Sequence, residues 1–250
     1  MADKGNEALR HEEAFSYGKG LIPTPRAWTD YFWDRGREKT IRVLEPFVRE
    51  AETLLFVGVG SGDILPLLDL REKVVYGTEV NQKFLEDASR YCIPMVTDST
   101  SIPLEDESVD LVICNMVLHH IIGQGTLDSV LVECARVLKT GGSLFAFEPN
   151  ALHPSGMAMN LINRFHLYSK VGGGSDYEYA LSPFTMRRVC RKIFGGKPSL
   201  RGLTFSNPRF PISLQNAIVR LDDSLEAAYP LSFSFSLRVV KGAGGDRAVR

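Results

Sequence analysis

Between Leu54 and Gly62 the chain reads Leu-Leu-Phe-Val-Gly-Val-Gly-Ser-Gly, an apolar strand pattern that runs into glycines at positions 58, 60 and 62. A strand that breaks into so tight a turn lets backbone approach a ligand with no Cβ in the way. A helix starting near Asp63 would aim its free N–H groups at the same spot. A second apolar run ends at Glu79, seventeen residues beyond Gly62. A carboxylate at the tip of the neighbouring strand can accept hydrogen bonds from both hydroxyls of a ribose. The pattern therefore predicts an α/β fold with a nucleotide-shaped site.

The spacing argues against a dinucleotide. That fingerprint is Gly-x-Gly-x-x-Gly/Ala, but here the third glycine falls one position early. Asp63 takes the place of the third small residue, so a carboxylate would face a pyrophosphate. A nicotinamide-dependent oxidoreductase is disfavoured on this ground. A nucleic-acid partner calls for many cationic phosphate contacts, whereas 29 Lys and Arg against 30 Asp and Glu leave a formal charge of −1. With 250 residues, 44% hydrophobic and 24% charged, one globular domain can bury a large core. Cys92, Cys114, Cys134 and Cys190 are widely spaced with no Cys-x-x-Cys. They suggest neither a metal site nor a disulfide framework, and fit a reducing, cytoplasmic setting. The opening Met-Ala-Asp-Lys-Gly-Asn-Glu lacks a secretory apolar core. The uncharged stretch from Leu111 to Leu127 is too broken by polar residues and glycines to span a membrane.

Apolar runs with little alternation near 54–58, 74–79, 94–97, 109–114 and 143–148 predict parallel strands covered on both faces. Helical patterns fall near 27–51, 62–70, 81–91 and 126–138, the last stopped by Gly141-Gly142. Two more, near 183–194 and 213–227, flank a strand near 200–206. Ser232 to Val240 alternates Phe233, Phe235, Leu237 and Val239 with Ser and Arg. This predicts an antiparallel strand toward the sheet edge with one wet face.

Taken together, the motifs resemble those of the class I S-adenosylmethionine-dependent methyltransferases, in particular the quinone-biosynthesis and small-molecule branch. The resemblance is close over roughly residues 50–150 and loose elsewhere. Gly58-Val59-Gly60-Ser61-Gly62 is similar to the first motif, which wraps the methionine part of the cofactor. Val75-Tyr76-Gly77-Thr78-Glu79 is similar to the second, which implies that Glu79 holds the ribose. Asp98, within Val96-Thr97-Asp98-Ser99, matches the acidic residue that meets the adenine amino group, with Ser99 beside it. Ser108 to Asn115 resembles the fourth strand, which implies Asn115 and Met116 at the cofactor, and Arg136 to Gly142 the turn before the fifth. One departure stands out: Phe56 occupies the position, two before the first glycine, where the family usually carries an acid.

The resemblance implies a Rossmann-like, doubly wound α/β domain over residues 27–241. Its seven-stranded sheet would be mostly parallel with an antiparallel C-terminal strand, preceded by a tail and arm over 1–26 and followed by a loose tail over 242–250. It also implies methyl transfer from S-adenosyl-L-methionine to a small molecule, such as a natural product or a quinone-like or glycolipid-like acceptor. A non-catalytic S-adenosylmethionine-binding scaffold is the alternative, for which Phe56 is the main argument.

The substrate side is expected at the carboxyl ends of the strands, where three segments converge. They are Asn115 to His120, Glu148-Pro149-Asn150, and an insertion from Ala151 to Ser182 holding a Gly172-Gly173-Gly174 hinge candidate. His119 and His120 titrate near neutrality and are base candidates, against a structural role at a strand end. Glu148 is either a second base or a partner of strand-terminal backbone. Met157, Leu161, Ile162, Phe165 and Tyr168 lie at helical spacing on one face, either roofing an apolar substrate or packing on the core. Tyr17, in Tyr17-Gly18-Lys19-Gly20, would belong to an arm over the cofactor. Arg187, Arg188, Arg191, Lys192, Lys197 and Arg201 occur with no acid between them. That run is a solvated helix face or, through Arg187 and Arg191, a patch for an anionic part of the substrate.

Overall fold

The computed structural model describes residues 24–168, 170 and 176–243. In chain order the elements are α1 (Arg26–Glu50), β1 (Thr53–Val57), β2 (Val74–Glu79), α2 (Gln82–Ala88), β3 (Ile93–Val96) and β4 (Val109–Asn115). There follow α3 (Leu118–Ile121), α4 (Leu127–Val137), β5 (Leu138–Pro149), α5 (Pro154–Asn163), α6 (Pro183–Phe194), β6 (Ser199–Thr204), α7 (Ile212–Asp222) and β7 (Ser234–Val240). The sheet order is β3-β2-β1-β4-β5-β7-β6. β1 to β5 run parallel, and β7 pairs antiparallel with both β5 and β6. The chain starts in the middle of the sheet and winds outward both ways, so the order switches between β1 and β4, whose carboxyl ends open a crevice.

Alternate residues of each central strand feed two cores. Leu55, Val57, Val112, Cys114, Leu144, Ala146, Phe235 and Leu237 pack with α4 and α6 through Leu131, Cys134, Met186 and Phe194. Leu54, Phe56, Leu111, Ile113, Phe145 and Phe147 pack with Leu44 and Val48 of α1 on the opposite face. Phe56, at the position where an acid was expected, is a core side chain, 2% exposed.

Three expectations are corrected. The helix expected over 62–70 is a single 3-10 turn, Leu65–Leu67. Pro66 has no N–H to give the Gly62 carbonyl, which accepts from Leu65 instead at 3.0 Å. Gly141-Gly142 does not stop the helix before β5. α4 ends at Val137 with Leu138 already extended, and the glycines turn inside the start of β5. A Cβ on Gly142 would stand 2.8 Å from the Asp110 carbonyl oxygen, so close strand approach, not helix capping, requires glycine there.

The third correction is β7. It is antiparallel as expected, but β6 takes the edge, and the polar face of β7 is not wet. Ser234 and Ser236 are buried. Ser234 shares a 2.9 Å hydrogen bond with Thr204, and the Arg238 guanidinium lies 4.2 Å over the Phe47 ring of α1. α1 covers the face that a two-layer arrangement would have left to water.

Candidate functional site

The crevice has two lips. On one, β1 ends in the glycine turn, with Gly58, Gly60 and Gly62 at φ of +61°, +57° and +82°. Only glycine adopts such angles without strain. Gly58 is also sterically required, since a Cβ there would fall 2.1 Å from Cγ2 of Val117. Gly60 differs: a Cβ there would meet nothing within 4 Å, so its backbone faces open space.

The tip of β2 ties this turn down. Val59 N–H donates to the Thr78 carbonyl at 2.8 Å, and Gly58 N–H to the Thr78 hydroxyl at 3.2 Å. Glu79 is half-buried. Its carboxylate accepts from Gly60 N–H at 3.0 Å and from the N–H groups of Val80 and Asn81 at 2.8 and 3.0 Å. Beyond β3, Asp98 is exposed and accepts from the Thr100 N–H and hydroxyl at 3.1 and 2.6 Å. Ser99 is buried, bonded to Thr78 through the two hydroxyls at 2.8 Å. Ser61 donates to Asp63 at 2.6 Å. Asn115 closes β4, and Met116 follows at φ +56°, its N–H on the Phe147 carbonyl at 2.9 Å. Non-glycine residues held at positive φ are uncommon and cluster at binding sites; Ser99 and Met116 are two of the five described here.

The second lip is α3. Glu148, at the end of β5, is fully buried. Its Oε1 accepts from the N–H groups of Val117 and Leu118 at 3.1 and 2.8 Å. Its Oε2 lies 2.8 Å from Nδ1 of His119 and 3.3 Å from the His119 N–H. Glu148 is therefore the cap of α3 and the holder of His119. Burial lowers the proton affinity of His119, but the Glu148 hydrogen bond and the charges of Glu148 and Glu178 outweigh it, and its pKa lies above the ordinary histidine value. The His120 ring lies 4.0 Å from that of His119, tilted by 39°, and turns Nδ1 to Glu178 at 3.3 Å. Tyr179 N–H donates to the His119 carbonyl at 2.9 Å.

The insertion is organised by amides rather than by its apolar stripe. Asn160 exchanges two hydrogen bonds with Ala180, at 3.1 and 2.7 Å, and Asn163 donates to the Glu178 carbonyl. Buried backbone needs these partners, so α5 turns Gly156, Met159 and Asn163 inward. Met157, Leu161 and Phe165 are left outside at 59%, 62% and 64% exposure. Most of the stripe thus does not pack on the core. Tyr168 is half-buried, and burial together with the Glu178 charge pushes its phenol up. His153 caps α5 by accepting from Ser155 N–H at 3.2 Å. Tyr17 and Gly172-Gly173-Gly174 lie outside the described residues.

Arg187 and Arg191 lie on the exposed face of α6. Beside α3 lies a cavity of about 500 Å³, lined by Ile122, Leu127, Tyr179, Leu181 and Met186 with Asn160; none of the glycine-turn residues line it. Sequence reasoning missed Glu178, Val117, Asn160 and Asn163. Nothing local marks Glu178, which reaches α3 only through the fold.

Residues 55–146 match the model of a methyltransferase-domain family. A curated uncharacterized methyltransferase of Schizosaccharomyces pombe is 34% identical over 102 residues, 39% of each chain. A methyltransferase-like protein of the same yeast is 32% identical over 105 residues, 40% of this chain and 39% of that one. The matched stretch thus spans about two fifths of the length of these relatives. Among solved structures, a SAM-dependent methyltransferase of Thermotoga maritima superposes with a TM-score of 0.61 at 16% identity, covering 86% of this chain and 92% of that one. One from Archaeoglobus fulgidus gives 0.57 at 14% identity, covering 82% and 94%. The fold of this chain is the fold of those methyltransferases. Among the described residues no helix is long and apolar enough to cross a membrane.

The residues of the first lip suit S-adenosylmethionine. The open face at Gly60 admits a ligand against bare backbone. Glu79 and Asp98 put carboxylates at or just beyond adjacent strand ends, where hydroxyl and amino donors of a nucleoside would find acceptors.

Proposed function

We propose that this chain transfers a methyl group from S-adenosylmethionine to a small-molecule acceptor. The observation that carries the reading is the Glu79 carboxylate bonded across to Gly60 N–H at the switch point of a methyltransferase fold. Gly58 to Gly62 would cup the amino-acid end of the cofactor. Glu79 would exchange its backbone bonds for the ribose hydroxyls, and Asp98 would accept from the adenine amino group. Asn115 and Met116 would line the same wall. When bound, the cofactor supplies a methyl group already activated as a sulfonium. What remains for the protein is alignment and the exclusion of water, and positioning of this kind supplies up to roughly 7–11 kcal/mol. Glu148 and His119 contribute by fixing α3, not as proton carriers, because both are buried and bonded to each other.

A second reading, a binding scaffold of the same fold, draws on Phe56, whose place in the core leaves the cofactor amino group without the family's usual acid. Calorimetry and turnover separate the two. The expected result is binding of S-adenosylmethionine and S-adenosylhomocysteine, none of NADH, and release of S-adenosylhomocysteine with at least one member of an acceptor panel. Binding without release would favour the scaffold; binding of NADH alone would overturn both.

A further inference from the structure

His119, His120 and Glu178 each offer a donor atom, and the three atoms lie within 4.8 Å of one another. We propose that they form a binding site for one divalent transition-metal ion of the zinc class. This inference stands on the side chains alone and does not depend on the methyl-transfer reading.

Two features distinguish the group from a chance cluster. The first is orientation from behind. A metal-ligating histidine characteristically gives its other ring nitrogen to a carboxylate, which fixes the ring and raises its basicity. Glu148 Oε2 stands 2.8 Å from Nδ1 of His119 and leaves Nε2 for an ion. The second is that both ligand-bearing segments are fastened independently of any ion. α3 hangs on Glu148 through the N–H groups of Val117, Leu118 and His119. The backbone at 178–180 is clamped by Asn160 and Asn163 and by the Tyr179-to-His119 bond.

Exposure and chemistry agree. The side chains of His119 and Glu178 are 7% and 9% exposed and that of His120 26%, so the site is sheltered but has an entrance. An ion with bonds of about 2.0–2.2 Å holds its donors roughly 3.4 Å apart, which asks for side-chain movement of about an ångström. Two imidazoles and one carboxylate favour zinc, cobalt or nickel over magnesium or calcium, which take oxygen. Three protein ligands leave a coordination position for water or another small ligand, the pattern of an open rather than a closed zinc site. Sequence spacing could not show this, because the carboxylate lies 58 residues beyond His120 and the cysteines take no part.

The test uses the full chain, stripped with a chelator and titrated with Zn²⁺ and Co²⁺. The expected result is one equivalent bound, with visible Co²⁺ d–d absorption and no near-ultraviolet thiolate band. His120→Ala and Glu178→Gln should each weaken binding at least tenfold, while Arg187→Ala leaves it unchanged. Circular dichroism checks each variant. Should Glu178→Gln fail to fold, His120→Ala, at a partly exposed ring, decides alone. Substoichiometric binding, a thiolate spectrum, or unchanged affinity in the folded variants would overturn the proposal, leaving His120 and Glu178 as an ordinary ion pair.

Discussion

Glu79 and Glu148 occupy matching places, each at the carboxyl end of a parallel strand, and each accepts from three backbone N–H groups. Only one of them is open to exchange its partners. Glu79 keeps partial exposure, and one of its partners is the N–H of Gly60, whose other side is open. Glu148 is fully buried, and a fourth donor, the His119 ring, completes its shell. A carboxylate at a strand tip is thus a grip for a ligand or a fastening for a helix, according to whether its acceptors can be exchanged.

The sharpest way to break the contrast is Glu148→Ala. It would leave three N–H groups and the His119 ring without their acceptor in the interior, and is expected to cost about 3–5 kcal/mol of stability, read as a lower urea midpoint. Retained stability would mean that α3 is fastened elsewhere. Glu79→Ala is expected to change the urea midpoint little while weakening S-adenosylmethionine binding by about 1–3 kcal/mol, the scale of charge-assisted hydrogen bonds. Titration calorimetry reads the second effect. Wild-type affinity there would place the ribose on other groups.

The smallest effect concerns neither lip. Arg136 holds the Glu133 carboxyl below its ordinary 4.5. At Asp110 burial acts upward, but the Lys139 bond and the N–H groups of Thr53 and Glu52 leave the carboxyl below 3.8. A depressed carboxyl stabilises the fold above its unfolded value, and that stability is lost as pH falls through the folded one. The melting temperature should therefore fall as the pH drops below about 4.5, in wild type and Glu79→Ala alike. Asp69, held at about 2 chiefly by its hydrogen bond to Arg71, is fully exposed and should add little.

Much of the first lip was legible because its signals are local. Gly58, Gly60 and Glu79 sit next to the strands that place them, and period and glycine position suffice. The second lip was not, because distant parts of the chain settle it. An acid after a strand reads the same whether solvent or a helix end meets it, so Glu148 stayed open between base and cap. The apolar spacing from Met157 to Phe165 predicts a buried face only if nothing else competes. Here the buried backbone at 178–180 required Asn160 and Asn163, and amide satisfaction turned the helix over. The polar side of β7 reads as wet until α1, nearly two hundred residues earlier, is seen to lie on it.

Lys39 of α1 reaches the buried Asp222 at the end of α7 at 2.9 Å, with Asp223 and Arg42 beside them. Both helices lie outside residues 55–146, the part shared with the matched family. Trimming the protein at either flank would abandon one member of that clasp inside the remaining body, a lone interior charge of the kind that costs about 3–5 kcal/mol. The two helices thus act as one buckle, and neither can be removed without loosening the other.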